Sequence, residues 1–112
     1  MCSNCYSLDQ LFNANKRNPR NNLVPTFYFL NEMMKQGRLL HFAGDCEFYE
    51  TLQLVSEEKH YTYRQYIECT DCHQIYYLGI CIRGTPIYKK IENINIENID
   101  NLLWGREGFY FT

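Results

Sequence analysis

The sequence predicts an α+β fold, with N-terminal helices followed by an antiparallel β-meander of three to four strands. Up to residue 58, apolar side chains recur at helical spacing. Beyond that point the pattern changes to a two-residue alternation rich in aromatic and β-branched residues, which is typical of strands. The chain has 112 residues and contains no linker, so a single domain spanning 1–112 is expected.

The first predicted helix covers residues 7–15. Ser7 followed by Gln10 has the capping-box pattern of a helix start, and the apolar residues that follow share one face. The next segment, 15–22, is polar, contains a proline and has no periodicity, so a loop is expected there.

Two further helices are predicted before the pattern changes. Thr26 can cap a helix over 27–36, and Gly37 stands where a C-cap glycine belongs. Asp45 can cap a third helix over 46–58, whose early glutamates favour the helix dipole.

The strands are expected to alternate with short turns. The predicted segments are 38–44 (a short strand or extended link), 60–68, 74–83, 85–94 and a last strand at 109–111, with a helical turn over 96–104. The second and third of these should form a hairpin whose turn contains Cys69–Cys72. The expected core residues are Phe27, Leu30, Met34, Phe48, Leu52, Val55, Leu78, Ile80 and Trp104.

The charge balance bears on the kinds of partner. The formal net charge is −2, and non-specific affinity for nucleic acid depends on positive charge, so nucleic acid is not an expected partner. No apolar run reaches the length of a membrane span, and no signal segment is recognisable. These observations predict a cytoplasmic protein with no membrane association.

The cysteines carry the most specific signal. Two C-x-x-C pairs occur, Cys2 with Cys5 and Cys69 with Cys72. In a reducing cytosol such pairs more often indicate a metal than disulfides, and four thiolates are a ligand set for structural zinc. The competing interpretation is that both pairs are packing residues, because far more than the usual ~15–20 residues separate them.

Thiol chemistry is a weaker interpretation. A redox C-x-x-C lies at a helix N-terminus after a strand, whereas the second pair lies between strands with Asp71 inside it, which raises a thiol pKa. Cys46 begins a predicted helix and His41 is nearby in sequence, but Asp45 and Glu47 flank the cysteine and disfavour its thiolate.

Tyrosines are abundant in the predicted hairpin. A partner-binding surface is hypothesised at Tyr61, Tyr63, Arg64, Tyr66 and Tyr76, because an aromatic platform suits recognition of a protein or stacking with bases. The alternative is that these tyrosines support the sheet.

The segment "YTYRQYIECTDCHQIYYLGICIRGTPIYKKI", 61–91, resembles the C-terminal half of small cytosolic bacterial immunity proteins of polymorphic toxin systems. The likeness lies in the order of strand, cysteine-pair turn, strand, glycine and "RGTPIYK". It implies a non-enzymatic inhibitor that binds a cognate toxin domain, and it transfers no catalytic residues. Where these families often have glycine after the second cysteine, this chain has His73.

The sequence therefore predicts a non-enzymatic cytosolic binding protein of the immunity or antitoxin kind, with zinc as its candidate cofactor. The first alternative is a zinc-ribbon-like module that binds nucleic acid. The second is a small thiol-dependent enzyme.

Overall fold

The computed structural model describes residues 2–82, 84–91, 99 and 102–111. The helices are α1 (Ser3–Asn15), α2 (Leu23–Lys35) and α3 (Thr51–Glu57), with a 3-10 turn at Phe48–Glu50 directly before α3. The strands are β1 (Leu39–Gly44), β2 (Thr62–Cys69), β3 (Ile75–Cys81) and β4 (Ile87–Ile91). A second 3-10 turn covers Phe109–Phe111.

The four strands form one antiparallel sheet in the order β1-β2-β3-β4. The predicted α+β class, with helices before the sheet, is confirmed. The predicted hairpin is also confirmed, since β2 ends at Cys69 and β3 begins at Ile75 with the cysteine turn between them. Alternating side chains of β2 and β3 point to opposite faces, which places two apolar clusters on the two sides of the sheet.

The larger cluster lies between the helices and the sheet. Leu8 and Phe12 of α1 and Leu30 of α2 pack there with Ile67 and Leu78. The second cluster lies on the opposite face, where Ile99 and residues 103, 110 and 111 cover the sheet. Since β3 is buried on both sides, its continuous apolar sequence is explained.

Two helix starts differ from the prediction. Helix α1 begins at Ser3, four residues before the predicted cap at Ser7, and Cys2 occupies its N-cap position. Helix α2 begins at Leu23, and the predicted cap Thr26 is buried inside it, where its hydroxyl accepts a hydrogen bond from the amide of Asn15. Pro25 is tolerated there because the N–H groups of the first helical turn have no acceptor within the helix, so no hydrogen bond is lost.

Asp45 does not cap a helix, and the predicted helix over 46–58 is shorter, beginning with the 3-10 turn and continuing as α3. The Asp45 carboxylate instead accepts the backbone N–H of Arg64 at 2.8 Å, of Trp104 at 2.7 Å and of Gly105 at 3.2 Å. It thereby joins the end of β1 to β2 and to the C-terminal segment.

The predictions for the C-terminal segment can be compared with the structure only in part. The predicted strand at 109–111 is wrong, because these residues form a 3-10 turn. Most of the predicted helical turn over 96–104, and residues 92–94 of the predicted strand 85–94, lie outside the described residues.

The core prediction is largely confirmed, with one clear error. Five of the expected residues are buried: Phe27, Leu30, Phe48, Leu78 and Ile80. Three are half-buried and pack against the same cluster: Met34, Leu52 and Val55. The prediction for Trp104 is wrong, because 42% of its surface is exposed. Its indole N–H donates to the carbonyl of Thr62 at 2.7 Å, which holds the ring at the edge of the sheet.

Candidate metal centre

The first cysteine pair lies at the start of α1. Cys2 is the N-cap residue and Cys5 lies in the first helical turn. A spacing of three places both side chains on the same side of the helix. The structure thus places this pair on a helix start. The N-terminal end of a helix carries partial positive charge, which stabilises thiolates.

The second pair lies in the β2–β3 turn. Cys69 is the last residue of β2, and its N–H and C=O bond to Gln74 and His73, both at 2.9 Å. The hydroxyl of Thr70 donates to the carbonyl of Gly37 at 2.8 Å, which ties the turn to the link between α2 and β1. His73 has a positive φ of 65° and is solvent-exposed.

The fold brings the two pairs together. The Sγ atoms of Cys2 and Cys69 are 3.6 Å apart, and those of Cys5 and Cys72 are 3.1 Å apart. All four sulfurs lie within 4.8 Å of one another. A tetrahedral zinc ion with Zn–S bonds of 2.3 Å requires sulfur separations of about 3.8 Å, which lies within this spread. The four predicted ligands therefore form one cluster whose composition and spacing fit a metal ion.

The interior of the cluster is partly shielded from water. Cys5 and Cys69 are buried, Cys2 is half-buried and Cys72 is exposed. Burial raises the pKa of the Cys5 thiol, and hydrogen bonds with Cys72 and Cys69 raise it further, whereas its hydrogen bond with Tyr76 lowers it. Without a cation the buried sulfur is therefore held as a neutral thiol, and a metal has to displace its proton.

The sequence reasoning missed two residues that support the cluster, Asp9 and Tyr76. The hydroxyl of the buried Tyr76 donates to Asp9 Oδ1 at 2.9 Å and also interacts with Cys5. Asp9 Oδ2 is 3.3 Å from the ammonium of Lys90 on β4. Asp9 follows Cys5 by four residues, one helical turn, and this spacing is the signal that could have predicted it.

The partner-binding tyrosines require correction. Tyr63 and Tyr76 are buried in the larger cluster and Tyr66 in the smaller one, so their rings pack inside the protein and are not available as a surface. Tyr63 and Tyr66 are three positions apart on β2 and therefore pack on opposite faces of the sheet. Tyr61 is 63% exposed and Arg64 is half-buried, and a binding role for these two residues stays a prediction.

The two remaining cysteines lie away from the cluster. Cys46 is buried, and Gln65 Nε2 donates to its Sγ at 3.3 Å and to Thr51 Oγ1 at 3.0 Å. Gln65 Oε1 also meets the ring of His41, so an amide stands between the histidine and the thiol. Burial raises the pKa of Cys46, and the charge of Asp45 adds to this effect. Hydrogen bonds with Thr51 and Gln65 lower the pKa, but burial outweighs them, so a reactive thiolate at Cys46 is disfavoured.

The fold and the cluster define a small α+β protein with a candidate four-cysteine metal centre. Comparison with protein-family models, with curated proteins and with solved structures finds no match for the chain. Within the described residues, the helices are too short or too polar to cross a membrane.

Proposed function

We propose that this protein is a non-enzymatic, cytosolic binding protein whose fold is clamped by a structural zinc ion. The observation that supports the zinc site is the convergence of four cysteine sulfurs within 4.8 Å of one another from a helix start and a distant turn. Thiolates select zinc or iron–sulfur clusters, and four protein ligands leave no open coordination position for catalysis. The ion would be held by Cys2, Cys5, Cys69 and Cys72 and would join α1 to the hairpin.

Protein purified without chelator tests the zinc proposal. We expect elemental analysis to find about one zinc ion per chain. Cys69→Ser should lower both the zinc content and the melting temperature, because binding of the ion to the folded state contributes to stability. Cys81→Ser is the matched control, since Cys81 is half-buried and lies outside the cluster. Equal zinc content and melting temperature in the two variants would contradict the proposal.

We further propose that the protein functions by binding another protein. The specific function proposed is that of an immunity protein, which binds a toxin domain and inhibits it. The support is the number of large aromatic side chains on the described surface, among them Tyr28, Tyr49, Tyr61 and Phe109, each more than half exposed. Aromatic residues are enriched at protein interfaces and supply much of their affinity.

The product of a neighbouring toxin-like gene is the appropriate partner for a test. We expect purified protein to bind that product in a calorimetric titration and to restore growth when the two are co-expressed. Failure of both would refute the inhibitory role. Binding of single-stranded DNA that weakens with salt would favour the zinc-ribbon alternative.

A further inference from the structure

A second site lies far from the cysteine cluster, at the end of β1. A cavity of about 240 Å³ opens there beside α3 and the C-terminal segment. Four carboxylates and one ammonium group are among its described lining residues: Asp45, Glu47, Glu50, Glu107 and Lys59. The ammonium lies 3.6 Å from Glu57, which does not line the cavity, so the cavity itself carries an excess of negative charge.

Two of these carboxylates lie close together. A hydrogen bond with Glu107 raises the pKa of Glu47, and the charges of Glu107 and Glu50 act in the same direction after the effect of burial. Carboxylates that repel one another at the mouth of a cavity gain free energy when a cation enters between them. The negative charge of this cavity therefore favours a positively charged ligand.

An aromatic wall adjoins the carboxylates. The indole ring of Trp104 is stacked on His60, with ring centroids 3.7 Å apart and an interplanar angle of 9°, and its edge contacts Tyr63. The indole N–H donates to the carbonyl of Thr62 and the backbone N–H of Trp104 donates to the Asp45 carboxylate, so the ring is positioned before any ligand arrives. A fixed, 42% exposed tryptophan beside carboxylates is suited to a guanidinium group, which can stack on aromatic rings and donate to carboxylates at once.

The size of the cavity narrows the choice of ligand. Drug-sized ligands occupy pockets of roughly 300–1,000 Å³, and this cavity is smaller. We propose that it receives an arginine side chain from a basic segment of a protein partner. Charge complementarity selects this occupant, and Tyr49, 64% exposed beside Glu50, offers further aromatic contact outside the cavity. The inference deepens the proposed protein-binding function and rests on it.

Trp104 is the single tryptophan of the chain, so its fluorescence reports directly on this cavity. The probe is a capped, glycine- and serine-based peptide with two arginines and no aromatic residue, added to the purified protein. We expect a saturable change in Trp104 emission that weakens with salt. The same peptide with citrulline for arginine should produce no saturable change, since the positive charge is lost.

Two double variants test whether the peptide binds in this cavity. Glu47→Gln/Glu107→Gln should weaken peptide binding by about tenfold, since both carboxylates line the cavity and the arginine would lose its charged partners there. The control Glu32→Gln/Glu58→Gln removes the same formal charge from positions that are also exposed but lie outside the cavity lining, and should bind as the unaltered protein does.

Three results would overturn the proposal: no saturable change, equal weakening in both double variants, or tetramethylammonium binding as tightly as the peptide. The last would identify a small-cation site. None of these results depends on zinc content or on binding to the neighbouring gene product, so the inference can fail while the proposed function stands. Conversely, peptide binding without zinc would leave the inference intact.

Discussion

The Sγ atoms of Cys5 and Cys72 lie 3.1 Å apart although 67 residues separate them in the chain. No local turn brings them together. The contact is made because α1 packs against the sheet through Leu8 and Phe12, which aligns its first turn with the β2–β3 turn. The cysteine cluster is thus a consequence of tertiary packing, and it connects the first helix to the central hairpin.

The first prediction concerns thiol reactivity. In the zinc-loaded protein, the four clustered cysteines should resist iodoacetamide, because metal-bound thiolates are not free to react. A strong chelator should expose Cys72 to alkylation first, since it is the exposed member of the set. Mass spectrometry of the digested protein gives the order of labelling. Cys81, outside the cluster, should react at the same rate with and without chelator, and equal labelling of Cys72 in both conditions would contradict metal ligation.

The second prediction concerns the support of the cluster by Tyr76. Tyr76→Phe removes the hydroxyl that bonds Asp9 and Cys5, and should cost about 1 kcal/mol of unfolding free energy in urea. Zinc affinity should fall by about tenfold, as is usual when a group that orients a ligand is lost. Tyr88→Phe is the matched control, since the Tyr88 hydroxyl donates to the carbonyl of Pro19 away from the cluster. A comparable loss of zinc affinity in the control would mean that general destabilisation is responsible.

The third prediction compares two leucines. Leu30 is fully buried, so Leu30→Ala should lower the unfolding free energy by about 2–5 kcal/mol. Leu52 is only half-buried at the edge of the same cluster, and Leu52→Ala should cost clearly less, because fewer contacts are lost and water can fill the space. Denaturant titrations measure both. Equal losses would place the α3 face deeper in the core than the structure does.

The fourth prediction concerns pH. Burial lowers the pKa of His41, while its contact with Gln65 and the charge of Glu107 oppose this effect. Below the unfolded value of about 6.5, the unfolded chain binds a proton that the folded protein does not, so stability is full above that pH and declines as pH falls. Unfolding free energies between neutral and mildly acidic pH should show this slope. His41→Gln should flatten it, and a slope that persists unchanged in this variant would contradict the assignment to His41.

Much of the fold follows from local pattern in the sequence. The change from helical to alternating periodicity near residue 58 marks the boundary between helices and sheet, and β1 to β4 lie within or close to their predicted segments because strand patterning is a local property. The set of metal ligands could also be predicted from the sequence, since two C-x-x-C pairs offer only one four-thiolate combination. Their proximity could not be derived, because it depends on how α1 packs.

The errors have a common cause in long-range contacts. Asp45 has the sequence context of a helix cap, yet its carboxylate is used by backbone N–H groups of Arg64 and Trp104, which lie far along the chain. Trp104 is apolar in composition but is drawn to the surface by its N–H bond to Thr62. The cavity that these contacts create has no sequence motif, so sequence reasoning could not find it.

The separation of the two cysteine pairs also has a consequence for synthesis of the protein. At about 5–20 residues per second, the first pair is made several seconds before the second, since Cys72 follows Cys5 by 67 positions. During that interval only half of the ligands exist, and two thiolates hold zinc far less firmly than four. If the cluster holds zinc, as we propose, stable uptake of the ion would have to wait until the hairpin has emerged and α1 has docked. Metal loading would then be a late step of maturation, and bound zinc would mark chains that have completed their fold.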